Sequence, residues 1–261
     1  MIGHYFLLER INLLENLHRF FVPSESIIDS KINLPKDVTF QISKVLRLNK
    51  GDQIIILDGL GKKYLVEITD FKSKNAIATI QSELATSFEA QSKINLFQGM
   101  IRSTKMEFVF QKCTELGVST FTPINCERSN FHQFNQNKLN RWKKIIIEAS
   151  EQSRRDIVPE LFNPTSFSQA INNCNGMGII AWENELNNGI KDVLKNLKTQ
   201  NLLKNSPINV FIGPEGGFRK AEIEQSYEKE FESVSLGKRI LRSETAGIVI
   251  STSIFYELDD L

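Results

Sequence analysis

The chain has 261 residues, 41% hydrophobic and 24% charged, which suits one or two globular domains and argues against intrinsic disorder. Lys and Arg number 32 against 31 Asp and Glu, so a general polyanion binder and an acidic solvating chain are both excluded, and any basic surface must be local. Cys113, Cys126 and Cys174 are far apart and form no CxxC pair, which suits a reducing compartment better than a disulfide framework.

The N-terminal stretch MIGHYFLLERINLLENLHRFFVP carries charges throughout and has no small-residue cleavage site, so it does not read as a signal peptide. No window reaches the roughly 18 consecutive apolar residues of a membrane span. A soluble, cytoplasmic protein with no membrane partner is expected. His4, His18 and His132 show no metal-ligand spacing, and no metal site is expected.

Between about residue 20 and 82, short apolar runs alternate with turn residues. Ile54 and Ile56, then Tyr64, Val66 and Ile68, flank a turn at Asp58-Gly59 and Gly61, predicting a hairpin, and Ala76, Ala78 and Ile80 predict a further strand. These strands predict a small β-barrel or β-sandwich over residues 1–82. A linker follows at 83–93. Residues 94–261 then alternate strand and helix, predicting an α/β domain with strands at Ile94–Met100, Val118–Ile124, Gly178–Trp182, Ile208–Ile212 and Ser233–Leu236.

Thr104 to Glu107 fits a capping box, Met106, Val109, Phe110, Cys113 and Leu116 recur at helical spacing, and Gly117 stands where a helix should end. A second helix, from about Lys138 to Arg154, puts Leu139, Trp142, Ile146 and Ala149 on one face, which should pack on the sheet. In the last segment, ETAGIVISTSIFYEL, apolar residues surround the helix. It is either buried inside the domain or meets another subunit.

Two loops carry the chemistry. FIGPEGGF at 211–218 joins a strand to a helix with three glycines in five residues, Gly213 to Gly217. Such a turn presents backbone N–H groups and admits a ligand close to the main chain, although tight connections without a ligand also use glycine. It matches neither GxxxxGK[ST] nor GxGxxG, which removes the common phosphate and dinucleotide motifs. The second loop, SLGKRILRSETAG at 235–247, has Gly237 to bend the chain, apolar Ile240 and Leu241, and Ser243 and Glu244 at a helix start. An adenine ring would fit such a loop. In an open α/β sheet, loops at neighbouring strand ends converge on one crevice.

The pair IGPEGGF and LGKRILRSETA closely resembles the signature of the 16S ribosomal RNA uracil-N3 methyltransferases, the RsmE family of the SPOUT class. STKMEFVFQKCTELGV at 103–118, ERS at 127–129, RWKKIIIEASEQSRRDIVPEL at 141–161 and VLRLNKGD at 45–52 extend the resemblance over nearly the whole chain. It implies an N-terminal PUA-like β-barrel, a C-terminal trefoil-knotted parallel sheet with helices on both faces, S-adenosyl-L-methionine as methyl donor, a homodimer, and 16S rRNA or the small ribosomal subunit as partner. Two departures stand out: Gln41-Ile42-Ser43-Lys44 replaces a stretch where the family usually has histidine, and ILRSETA replaces ILRTETA.

The resemblance assigns Ile212, Gly213, Gly217, Leu236, Gly237, Ile240 and Leu241 to the cofactor, with the end of the strand GIIAW and Glu183 beyond it as additions. Methylation at uracil N3 needs loss of its proton, helped by a base or by a cation that stabilises charge on the ring oxygens. Arg242 is the candidate cation and Glu215 or Glu244 the acidic partner, against the plainer alternative that Glu215 shapes the turn and Glu244 caps a helix. Arg47, Arg102, Lys105, Arg128, Arg154 and Arg155 are the candidate phosphate contacts. A methyltransferase acting on another RNA base and a non-catalytic RNA-binding module remain the alternatives.

Overall fold

A computed structural model describes residues 17–72, 75–85, 89–129, 135–199 and 206–261. His4, His132 and residues 86–88 of the expected linker lie outside the described residues. The chain divides into two compact units, Met1–Phe88 with Arg154–Ile157, and Glu89–Ser153 with Val158–Leu261.

The first unit is a six-stranded sheet ordered β1-β4-β5-β6-β3-β2, made of β1 (Arg19–Phe21), β2 (Ile27–Ile28), β3 (Lys31–Asn33), β4 (Gln53–Leu57), β5 (Lys63–Phe71) and β6 (Ala76–Leu84). Helix α1 (Lys36–Phe40) runs on into a wider helical turn over Gln41–Val45. The predicted hairpin forms as β4 and β5, with Ile54 opposite Val66 and Ile56 opposite Tyr64. Asp58 sets its turn, because Oδ1 accepts the N–H groups of Leu60 and Lys62 at 2.8 and 3.0 Å. β4 is more buried than simple alternation implies: Ile54, Ile55, Ile56 and Leu57 are all inside, which explains why this strand is written as an unbroken apolar run.

The second unit is built on an all-parallel sheet of β7 (Ile94–Gly99), β8 (Thr120–Asn125), β9 (Glu160–Leu161), β10 (Thr165–Ser166), β11 (Met177–Ala181), β12 (Ile208–Ile212) and β13 (Glu232–Val234). Its order is β10-β8-β7-β12-β11-β13, with β9 also beside β8. The helices are α2 (Ser103–Leu116), α3 (Gln136–Gln152), α4 (Phe167–Asn173), α5 (Ile190–Thr199), α6 (Lys220–Tyr227) and α7 (Ser243–Glu257).

Alternate residues of the central strands enter two separate cores. Ile179, Ile208, Val210 and Ile212 join residues of α2, α3, α5 and α7, whereas Ile180 and Phe211 join Phe167 and Ile171 of α4 and Ile223 of α6. Helices therefore cover both faces, and the middle strands must be apolar on both sides. The second core is aromatic: Phe97 stacks on Phe211 with centroids 4.3 Å apart, and Phe231 meets Phe211 edge-on at 5.3 Å.

Three local expectations need correction. Thr104 does not cap α2, which starts at Ser103 with Arg102 in the cap position and no side-chain cap bond; Ser103 Oγ instead meets Glu107 Oε1 at 3.2 Å. The predicted C-terminus holds, since Gly117 adopts φ 112° and its N–H closes on the last turn. Helix α3 ends at Gln152 rather than Arg154, which takes the left-handed φ of 62°. Its main neighbour is α2, not the sheet, with Trp142 edge-on to Phe110 at 5.2 Å.

Candidate functional site

Strand β11 lies between β12 and β13, all three parallel, so the loops after them leave from one end of the sheet. They enclose a cavity of about 810 Å³. Each of the eight residues expected to hold the cofactor lines it: Glu183 from the first loop, Ile212, Gly213 and Gly217 from the second, and Leu236, Gly237, Ile240 and Leu241 from the third. Arg242, Glu215 and Glu244 line it too, as do Arg102 and Lys105 from the start of α2.

The turn is held from beneath by a buried relay absent from the sequence reading. Gln98 Nε2 donates to Ser243 Oγ at 2.8 Å, and Ser243 Oγ donates to the Gly213 carbonyl at 2.5 Å. Three segments, the end of β7, the turn and the start of α7, are thereby tied together. A Cβ on Gly99 would stand 2.4 Å from Pro214 N, so this close approach requires glycine. Gly217 has φ 67°, and a Cβ there would meet Glu183 Oε1 at 2.3 Å. The loop backbone is thus left bare where it faces the cavity.

Charge is organised around Lys105. Its Nζ lies 2.5 Å from Glu215 Oε1 and 3.4 Å from Glu244 Oε1. The bond from Lys105 holds the Glu215 carboxyl below the usual carboxylate range despite some desolvation, with the fields of Lys105, Arg102 and Arg242 adding to it. The Lys105 ammonium is correspondingly pushed up, chiefly by Glu215. Arg242 is exposed in the cap position of α7, where no side-chain cap bond forms. Among the described residues, Glu244 Oε2 and Trp182 Nε1 are buried without a hydrogen-bond partner, and both residues line the cavity.

The expected phosphate contacts separate into different groups. Arg102 is exposed at the cavity rim, and Lys105 is engaged by two carboxylates. Arg128 braces the turn, donating through Nη1 to the Gly216 carbonyl at 2.9 Å. Arg47 is exposed in the first unit with φ 57°. Arg154 and Arg155 do not end α3 but belong to the first unit, and Arg155, at 5% exposure, presents no surface to a phosphate. Lys238 and Arg239, exposed on the third loop, are cations that the sequence reading passed over. Trp182, the end of the predicted strand GIIAW, lines the cavity beside Glu183, one residue past β11.

Apolar walls from Ile212, Leu236 and Leu241, bare glycine backbone and nearby carboxylates suit a small organic ligand that combines an aromatic ring with positive charge. Residues 88–255 match the RNA methyltransferase domain and residues 42–81 the RNA methyltransferase PUA domain. The fold is that of an RNA methyltransferase built on a parallel α/β sheet with an N-terminal PUA domain.

Within that class, the chain belongs to the ribosomal RNA small subunit methyltransferase E family. It is 33% identical to that protein from Synechocystis, over 91% of this chain and 77% of the relative. It is 32% identical to that from Bacillus subtilis, over 84% and 87%. The crystal structure of a ribosomal RNA small subunit methyltransferase E from Neisseria gonorrhoeae, bound to S-adenosyl methionine, superposes with a TM-score of 0.82 at 29% identity, covering 92% of this chain and 98% of that one.

Proposed function

We propose that this chain transfers a methyl group from S-adenosyl-L-methionine to N3 of a uridine in the decoding region of 16S rRNA, free or within the small ribosomal subunit. On this reading residues 1–82 bind RNA, 83–93 link, and 94–261 carry out methyl transfer; the protein acts in the cytoplasm as a homodimer. The observation that carries the reading is the convergence of all eight expected cofactor residues on one cavity, beside a cluster of cations and carboxylates.

When bound, the cofactor supplies an electrophilic methyl group on a sulfonium. The residues fit it: Leu236, Ile240 and Leu241 offer apolar surface to an adenine ring, Gly213, Gly217 and Gly237 allow the main chain to approach, and Glu183 can meet a positive charge. The protein's task is alignment, because an in-line displacement depends on the angle and distance of the acceptor. Arg242 stabilises charge developing on the uracil oxygens, and Glu215 and Glu244 supply carboxylates at the same rim. Arg47, Arg102, Lys238 and Arg239, all exposed, contact RNA phosphates on this reading. The target base must leave its stack to enter. The apolar final helix, with Ile248 and Val249 only partly covered, gives a second copy of the chain a surface to pack on.

Mass mapping of 16S rRNA from cells with and without the gene tests the reading. A methyl group at N3 of one uridine should disappear with the gene and return with the intact gene. Disappearance of a methyl group from a different base or RNA would replace the acceptor assignment, and no change in any RNA would favour a binding module.

A further inference from the structure

We infer that Lys105 is a positioning residue for proton removal rather than a phosphate contact: it holds Glu244 through one carboxylate oxygen and leaves the other to take the N3 proton. This rests on the reading that uracil N3 is the acceptor.

The two carboxylates beside Lys105 are not equivalent. Glu215 stands at the rim with its side chain 39% exposed, and the close Lys105 contact occupies Oε1. Its carboxyl is held low by that ammonium, which makes it a weak base. Glu244 is more enclosed, at 12% exposure; Oε1 faces Lys105 at the longer distance of 3.4 Å. Its Oε2 is buried and, among the described residues, has no donor. Glu244 stands in the first turn of α7, whose cap position is held by Arg242 without a side-chain cap bond.

A buried carboxylate oxygen without a donor is costly to leave so, and an N–H arriving in the cavity would relieve the cost. The uracil N3–H is such a donor. In the transfer, the N3–H bond breaks and its proton passes to Glu244 Oε2. The electron pair left on N3 forms the new N–CH3 bond, and the pair of the broken S–CH3 bond stays on sulfur, whose positive charge is thereby cancelled. One proton is later released to solvent, so atoms and charge balance. The charged groups around Glu244 are Lys105 and Arg102 at the start of α2, Glu215 on the turn and Arg242 beside it, with Lys238, Arg239 and Glu183 also on the cavity wall.

The test uses the full chain with small-subunit RNA and measures single-turnover methyl transfer at saturating RNA, with donor and RNA affinities determined separately. Glu244→Gln is expected to slow transfer by about 100-fold, the scale of a lost general base, with both affinities within about threefold of wild type. Glu215→Gln should stay within about tenfold. Lys105→Ala should slow transfer by about tenfold or more while donor and RNA affinities stay within about threefold of wild type, because Glu244 loses the contact that orients it. Lys105→Arg should recover most of the rate.

Wild-type rates in Glu244→Gln would overturn the inference. So would a Lys105→Ala variant whose single-turnover rate at saturating RNA is unchanged while its RNA binding weakens and its salt slope falls by about one, the behaviour of a phosphate contact. Product mapping separates the two levels: a wild-type product methylated elsewhere overturns the acceptor assignment, whereas a normal N3 product with an insensitive Glu244 overturns only this inference.

Discussion

Gly217 combines two demands that only glycine meets at once. Its φ of 67° lies in the left-handed region, and the position a Cβ would take stands 2.3 Å from the Glu183 carboxylate. Gly217→Val should therefore reduce S-adenosyl-L-methionine affinity by at least about tenfold, since it shifts both the turn and Glu183; left-handed backbone for such a residue costs about 1–2 kcal/mol. Isothermal titration calorimetry checks it, and wild-type affinity in the variant would remove the turn from the cofactor site. The glycine itself was legible, because three glycines in one strand-to-helix turn draw attention to the backbone. Its apposition to Glu183 was not, because these residues lie on different loops brought together only by the order of β11 and β12. The same limit hid the partners of Lys105, which sequence alone placed among the phosphate contacts.

Loops at this end of the sheet need their own anchors, and Glu185 supplies one. Its Oε1 accepts the N–H groups of Asn187 and Asn188 at 2.8 and 3.1 Å, and Oε2 accepts from Ser233 Oγ, which also meets Tyr227 OH at 2.8 Å. Burial pushes the carboxyl up, but these bonds outweigh it and hold the value below the ordinary 4.5. A depressed carboxyl contributes stability above about pH 4.5 that is lost as pH falls through the lower folded value. Glu185→Ala should destabilise the protein by about 1–3 kcal/mol at pH 7, with a smaller difference from wild type below about pH 4, as read by urea unfolding. An equal loss at both pH values would show that the carboxylate charge is not the cause.

Helices and strands with strong internal patterns were readable in advance. The Ile208–Ile212 strand and the Gly117 end of α2 are examples, since one depends on a continuous apolar run and the other on a residue tolerant of positive φ. Short α4 and the amphipathic α5 were passed over, although Ser166 and Gln169 do form a capping box at the start of α4. The face of α3 was legible but its neighbour was not: Trp142 reaches Phe110 of α2. Trp142→Ala should cost about 3–5 kcal/mol of unfolding free energy through the cavity it leaves, measurable by chemical denaturation.

At the scale of the whole chain, residues far apart in sequence complete the first unit. Arg154–Ile157 belong to it, although the residues before and after them belong to the second. Asp156 is 1% exposed, and its carboxylate receives Lys63 Nζ at 2.8 Å and Arg19 Nη2 at 2.8 Å. The Lys63 side chain is itself only 3% exposed. Reading Arg154 and Arg155 as the end of a helix could not reveal this, because the counter-charges of Asp156 lie more than ninety positions earlier. Removing one partner from such a cluster leaves buried positive charge without this counter-charge, so Asp156→Asn should destabilise the protein by about 3–5 kcal/mol. Replacing the cluster together, with Asp156→Leu, Lys63→Met and Arg19→Met, should recover much of that loss, because desolvated charge is then no longer present on either side. Chemical denaturation followed by a probe in the first unit reads both variants. If Asp156→Asn were as stable as wild type, Asp156 would be a passenger in this unit; if the triple replacement were the less stable of the two, the cluster would be contributing more by its charges than by its packing.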